Sequence, residues 1–388
     1  MLRWLTALTA TILFLLPHVL PGQMVNIRIQ PYSRINGLTF QCISDQVVVA
    51  TQDSFPQVRF RMNTLEQFEL YNHEDGVRLE SEGKVLGIFP ELIFWANDAK
   101  PAFKLIPNRK GDKARTYPGH LTVRPGSRGL EMINRVHLED YIRCVIHAEA
   151  GHHRSLDFFK VQALSARTYA LRNINRHRKA GHDLCDNTHC QAYKGEYAAS
   201  PLLDKAVAET LGEVIVFGNN ELIDAVFSAN CGGYTANSED VWVANVSYLR
   251  ATPDYDFCEG SYNHAWHVTI PKAEMLARLG HYLKIEAQSL EIEPDISGRV
   301  KRIVLNGKNK YSISGEEIRR LYKLKSSKFH VYDAGSMFFI EGHGFGHGVG
   351  MCQDGAYFLG KEGMNYEQII QHYYKGVEII QLDQQEEL

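Results

Sequence analysis

VHLEDYIRCVIHAEAGHHRSLDFFKVQALSARTY, residues Val136 to Tyr169, is the stretch whose reading decides the fold. Leu138, Tyr141, Ile142 and Val145 recur at helical spacing with Glu139, Asp140 and Arg143 between them, so it opens as an amphipathic helix running toward His147 and Glu149. Gly151 breaks the pattern. Ser155 is then a candidate N-cap with Asp157 in the first turn, and Phe159, Ala163, Ala166 and Ala170 mark the packed face of a longer second helix ending near Arg176 to Lys179. Glu149 therefore stands at a helix-to-helix joint among Ile146, Ala148 and Ala150. A carboxylate placed there can be partly desolvated, and desolvation raises its pKa in the direction a general acid requires. Taken alone, a glutamate at a helix end is most simply a surface residue.

Upstream, LRWLTALTATILFLLPHVLPGQ has one arginine ahead of a short apolar run interrupted by Pro17 and His18. This predicts a signal peptide or membrane anchor over residues 1–23 and an exported protein, placed in the cell envelope or periplasm or on the outer face of the cytoplasmic membrane. With 388 residues, 44% of them hydrophobic, the chain has material for more than one domain. A formal charge of -3 leaves no basic footprint, which argues against a nucleic-acid partner. Oligomeric state is not readable. Seven cysteines, an odd number, cannot all pair within an exported chain. Cys144 and Cys352 read as small buried residues.

Residues 24–130 are strand-like: NIRIQPYS, QVVVAT, VRFRMN, FKLIP and HLTVRP alternate or cluster β-formers between breakers, which predicts a β-rich accessory segment. The whole chain is expected to be α+β, with this segment followed by a mixed helix/sheet core over 131–270 and 334–388. Between the two parts of the core, 271–333 reads as an inserted subdomain in which PKAEMLARLG and SGEEIRRLYKL are short helices and RVKRIVLNG with KYSIS a hairpin.

Past the second helix, HRKAGHDLCDNTHCQAYKG brings Cys185 and Cys190 into short spacing with His189, with His182 and His177 upstream. Thiolates and imidazoles so spaced can close a tetrahedral zinc site, and a Cys185–Cys190 disulfide is the rival in an exported protein. ELIDAVFSAN reads as a strand ahead of Gly232 and Gly233, and Cys258 is a candidate disulfide partner of Cys231 that the spacing alone does not fix. FSANCGG lacks the GxSxG elbow of a serine hydrolase. The run GHGFGHGVGMCQDGA, with a strand before it and a helix from about Gln353, has neither a ribose-binding acid nor a Walker lysine, and its glycines are expected to let the backbone approach a sugar.

Three of these motifs, in this order, carry a resemblance. LEDYIRCVIHAEAG followed by KVQALSARTYAL, then FSANCGGYTANSEDVW, then GHGFGHGVGMCQDGA, resemble the signature of the SpoIID/LytB family, the sporulation stage II D proteins and amidase enhancers of bacterial cell walls. The resemblance spans roughly residues 130 to 380. It implies a SpoIID-type catalytic domain and a lytic transglycosylase acting between N-acetylmuramic acid and N-acetylglucosamine of peptidoglycan glycan strands, peptide-free ones first, with Glu149 as the general acid and base. It places Arg167, Tyr169, Ser228, Tyr234, His347 and Gln353 as substrate-binding candidates. Some members hold zinc with two Cys and two His, which here would be His182, Cys185, His189 and Cys190; catalysis itself needs no cofactor. Where the family usually has a small residue and Ser, this chain has Cys231 and Cys352. The rival from another class is a non-catalytic glycan-binding module that recruits or enhances a cell-wall amidase.

Overall fold

The computed structural model describes residues 22–382 apart from 31–33, 45, 53–55, 97, 152–153, 197–199, 255–256 and 309. The expected signal or anchor lies outside the described residues. Among those described, no helix is long and apolar enough to cross a membrane.

Twelve strands come first: β1 (Met24–Ile29), β2 (Gly37–Cys42), β3 (Gln46–Gln52), β4 (Pro56–Asn63), β5 (Gln67–His73), β6 (Gly76–Ser81), β7 (Lys84–Phe89), β8 (Leu92–Ala96), β9 (Ala102–Pro107), β10 (Arg115–Pro118), β11 (His120–Arg124) and β12 (Glu131–His137). Strict alternation in β1 and β2 turns Val25, Ile27 and Ile29, then Leu38, Phe40 and Cys42, inward. One sheet runs β12-β11-β8-β3-β4 with β1 on the other side of β12; the second runs β10-β9-β2-β5-β6-β7. Phe40 of the second sheet stacks on Phe94 of the first with ring centroids 4.0 Å apart, so the two sheets pack face to face.

β12 runs without a loop into α1 (Leu138–Ala150), which ends at Gly151 with φ +70°. The Ser155 hydroxyl accepts from the Phe158 N–H and caps α2 (Leu156–Arg172), as its sequence predicts. α2 is buried on nearly every side rather than on one face, and α1 together with the helices over Pro201–Glu209, Gln353–Lys361 and Tyr366–Tyr373 packs on it. It ends at Arg172, before the expected basic run, whose Arg178–Ala180 forms one 3-10 turn.

The chain continues through β13 (Leu184–Cys185), α3 (Pro201–Glu209), β14 (Glu213–Phe217), β15 (Glu221–Leu222), β16 (Phe227–Ser228) and α4 (Ser238–Val241). ELIDAVFSAN is therefore two short strands, not one. Next come β17 (Ala265–Pro271), α5 (Lys272–Leu283), β18 (Leu290–Pro294), β19 (Val300–Leu305), β20 (Ser312–Ser314), α6 (Gly315–Tyr322), β21 (Phe329–Asp333) and β22 (Met337–His343). β23 (Met351–Cys352), α7 (Gln353–Lys361), α8 (Tyr366–Tyr373) and β24 (Glu378–Gln381) complete it. The architecture is mixed, a β-rich region followed by helix and sheet.

One hydrophobic core runs from Val25 of the first sheet through α1 and α2 to Leu382, so residues 24–130 share their interior with the helical part. A second buried cluster is confined to Met275 through Ile340. It sits between the sheets β17-β22-β21 and β18-β19-β20 and the helices α5 and α6.

Candidate functional site

Glu149 lies in the last turn of α1, half-buried. Its Oε1 accepts a 2.8 Å hydrogen bond from the backbone N–H of Ala192. Burial pushes the carboxyl above its ordinary value, against the opposing pull of that N–H and of the Lys194 ammonium. A partly desolvated carboxyl with one fixed donor keeps its second oxygen for a ligand.

The loop that brings Ala192 here is built from the sequence upward. β13 adds to the edge of β1 in parallel, Arg28 opposite Cys185, which seats Cys185 on the β-rich region. The Asp186 carboxylate then accepts from the Gln30 N–H at 2.7 Å. Two residues before Ala192 is Cys190, whose Sγ lies 3.3 Å from Cys185 Sγ, 3.3 Å from His177 Nε2 and 3.6 Å from His189 Nδ1. Cys185 Sγ is 3.7 Å from the same His189 nitrogen. The four donor atoms of His177, Cys185, His189 and Cys190 lie within 4.8 Å of one another.

Zinc bound at about 2.3 Å to sulfur and about 2.0 Å to nitrogen puts tetrahedral ligand atoms roughly 3.5 Å apart, so this donor set fits the ion. Hydrogen bonds from the Cys190 thiol and the His189 ring hold the Cys185 thiol below its ordinary value, while the same shared proton pushes Cys190 up; a bound cation would draw both to thiolates. The fourth donor corrects the sequence reading. His182 does not join the set; His177 does, because the 3-10 turn at Arg178–Ala180 folds the chain back and leaves His182 stacked on the outer face of the His177 ring, 4.8 Å between centroids.

The remaining candidates divide. Tyr169 projects near the cysteine loop, its hydroxyl accepting from Arg176 Nη1 at 2.8 Å. Arg167 goes elsewhere: fully buried, it holds Glu139 in a two-pronged pair of 2.8 and 2.7 Å and donates to the Glu213 carbonyl at 3.0 Å. Glu139 is in the first turn of α1 and Glu149 in its last, so Arg167 braces the far end of the helix, and its burial leaves no surface for a sugar.

Ser228 and Gln353 are brought together, because β16 pairs in parallel with β23 and sets Ser228 opposite Cys352. Gln353 Nε2 donates to Gln162 Oε1 of α2 at 3.1 Å. The buried Ser228 hydroxyl has no partner among the described residues. Tyr234 is half-buried where its backbone bridges Pro253. His347 Nδ1 accepts from the Val349 N–H at 3.1 Å and its ring lies 5.1 Å from that of Trp242. Burial pushes His347 down to about 4, so it is neutral near pH 7.

The glycines of GHGFGHGVG are required by the chain's own packing. A Cβ on Gly344 would meet the Asn230 carbonyl, one on Gly346 the Ser228 Cβ, and one on Gly348 the Arg299 guanidinium; all three have positive φ. The third motif is thus seated on the second.

One ion pair joins all three motifs across the fold. Arg154, five residues past Glu149, reaches Asp354 Oδ1 at 3.3 Å, and Asp354 Oδ2 accepts from Asn230 Nδ2 at 3.1 Å and from the Ser261 hydroxyl. The only hint in the sequence was the invitingly placed acid directly after Gln353. Among the described residues, Ser228, His347 and Gln353 make no hydrogen bond to Glu149; the motifs meet through Arg154–Asp354 and Gln162–Gln353.

Comparison with known proteins matches residues 126–217 to the family model described as "Stage II sporulation protein", and residues 244–350 to a "Domain of unknown function (DUF8618)". The chain is 31% identical over 270 residues to stage II sporulation protein D of Bacillus amyloliquefaciens, covering 65% of this chain and 76% of that one. To stage II sporulation protein D of Bacillus subtilis it is 28% identical over 330 residues, 81% of this chain and 89% of the other. The amidase enhancer of Bacillus subtilis is 27% identical over 277 residues, 57% of this chain but 38% of that longer protein. With the α1–α2 joint, the Cys/His loop and the paired second and third motifs in place, the chain belongs to the family of stage II sporulation protein D and the amidase enhancers.

Proposed function

We propose that this protein is a peptidoglycan lytic transglycosylase of the cell envelope, with Glu149 as its single general acid and base. The observation that carries the reading is Glu149 itself: half-buried at the end of a helix rooted in the sheet, raised in pKa, and fixed by one N–H. Protonated, it donates to the oxygen bridging N-acetylmuramic acid and N-acetylglucosamine. The resulting carboxylate takes the proton of the muramic 6-hydroxyl as that oxygen attacks C1 and closes a 1,6-anhydro ring. No water enters, so no second carboxylate is needed to activate one, unlike in hydrolytic glycosidases. Asp354 suits this economy, being committed to Arg154 and Asn230. The neutral His347 beside Trp242, with Tyr234, supplies hydroxyl-binding and stacking groups for the glycan, while the buried Ser228 and Gln353 hold the junction of the second and third motifs behind it.

His177, Cys185, His189 and Cys190 would hold zinc. Four protein ligands leave no open position for water, so the ion would shape the loop that presents Ala192 and would not act on the sugar.

A second reading, an accessory module that stimulates a cell-wall amidase, is favoured by the match to the amidase enhancer. Mass spectrometry of soluble fragments released from glycan strands, with and without stem peptides, separates the two. Anhydro-ended sugars that disappear in Glu149→Gln support the transglycosylase. Strands bound but left uncut by the unmutated chain overturn it in favour of the accessory role.

A further inference from the structure

A second set of sulfurs lies inside the core, away from the Cys/His loop. Cys231, Asp254, Cys258 and Cys352 are each fully buried, and one ligand atom from each lies within 4.8 Å of all the others. Cys231 Sγ is 3.7 Å from Cys258 Sγ and 3.1 Å from Asp254 Oδ2. A tetrahedral zinc with sulfur at about 2.3 Å requires sulfur atoms roughly 3.8 Å apart and an oxygen slightly nearer. The four side chains come from three segments: the turn after β16, the loop that follows α4, and the N-cap of α7.

The surroundings are those of an anionic centre. Cys352 Sγ accepts from the N–H groups of Cys231 and Gly355, both at 3.3 Å, and Cys258 Sγ accepts from the Gly233 N–H at 3.1 Å. Three backbone donors aimed at sulfur stabilise thiolates far more than thiols. Asp254 Oδ1 accepts from the Tyr373 hydroxyl at 2.8 Å, which orients the carboxylate and leaves Oδ2 toward the sulfurs. Gly355 makes room for it, since a Cβ there would collide with Asp254 Oδ2 and the Tyr373 hydroxyl.

Two cations stand behind the cluster. The fully buried Arg299 donates from Nη2 to the Cys231 carbonyl at 2.7 Å, and Lys328 Nζ donates to the Gly232 carbonyl at 2.7 Å. Nε and Nη1 of Arg299 have no hydrogen-bond partner among the described residues. Three thiolates and a carboxylate around a divalent ion carry a net charge of about −2, which the two cations match. A disulfide between Cys231 and Cys258 would leave Asp254 and Cys352 buried beside those cations with no joint role.

We propose that Cys231, Asp254, Cys258 and Cys352 form a second, closed, structural zinc site that ties the second motif to the start of α7. It fixes Gln353 and Asp354, the residues directly after Cys352, against α2 and Arg154.

The test is metal content of the full-length chain purified under reducing conditions with zinc present, compared with Cys258→Ser and with Cys185→Ser. Each substitution is expected to remove one zinc equivalent independently, so loss at one site leaves the other countable. Cobalt replacement of the unmutated chain guards against a variant that does not fold. Its thiolate-to-metal band should correspond to three cobalt–sulfur bonds beyond those lost in Cys185→Ser/Cys190→Ser. The proposal is overturned if Cys258→Ser keeps its full metal content, if the cobalt band accounts for the Cys185 and Cys190 thiolates alone, or if peptide mapping finds Cys231 and Cys258 bridged in the reduced preparation. None of these results depends on whether glycan is cut.

Discussion

The N–H of Ala192 donates to Glu149 at 2.8 Å, and Ala192 is two residues past Cys190. The proposed catalytic carboxylate is therefore positioned by a cysteine loop that does not itself touch its chemistry.

Glu149→Gln should abolish glycan cleavage, a loss of at least about 10²-fold for a removed general acid, while keeping the Ala192 contact. It should also make the protein more stable near neutral pH, on the order of 1 kcal/mol as at other functional sites. The folded chain raises this carboxyl above its ordinary 4.5. Its favourable contribution is thus present below that value and lost as pH rises through the raised one, where the ionised group is left desolvated. Thermal melts at pH 7.5 and pH 4 should show the variant's advantage at the first and its absence at the second.

Cys185→Ser/Cys190→Ser should slow cleavage by about 10- to 100-fold, the usual effect of losing a supporting metal shell. The loop then no longer holds Ala192 against Glu149. A variant that loses its zinc and cuts at the full rate would dissociate the loop from catalysis.

Arg167→Met should destabilise by about 3 kcal/mol, because it strands Glu139 and the Glu213 carbonyl. Cleavage per folded molecule should stay near its normal rate. Chemical denaturation beside a rate corrected for folded fraction distinguishes this from a sugar-binding role, in which the rate itself would fall.

His347→Gln should flatten the dependence of stability on pH. Burial lowers His347 from 6.5 to about 4, so the folded chain favours the neutral ring and stability is lost as pH falls through that interval. The variant should lose less than the unmutated chain between these values, by on the order of 2 kcal/mol, read from denaturant midpoints.

What could be read from the sequence was local. The break at Gly151, the cap at Ser155 and the helix starting at Gln353 follow from side-chain chemistry within a few residues. The fourth donor of the Cys/His loop was not legible, since the fold-back of the Arg178–Ala180 turn decides between His177 and His182. Arg167 stood as a sugar-binding candidate through the family resemblance alone, and its partners Glu139 and the Glu213 carbonyl, 28 and 46 residues away, are tertiary contacts that local spacing does not reveal. The packing partners of the glycine-rich run, Asn230, Ser228 and Arg299, lie more than forty residues upstream and are not readable from the run itself. The unity of the core was hidden for the same reason: pairing β13 to β1 links positions 27 and 184.

The two-residue pairing of β16 with β23 closes a loop of more than 120 residues. Closure entropy grows only with the logarithm of length, so doubling such a loop costs roughly 0.6 kcal/mol. The folded body between Met275 and Ile340, with its own buried cluster, can thus lengthen at its exposed turns at little entropic cost, while Arg299 and Lys328 keep it seated on the Cys231 and Gly232 carbonyls beside the Ser228–Cys352 junction. That makes those turns natural grafting points, where new surface can be added while the Ser228–Cys352 junction keeps its shape.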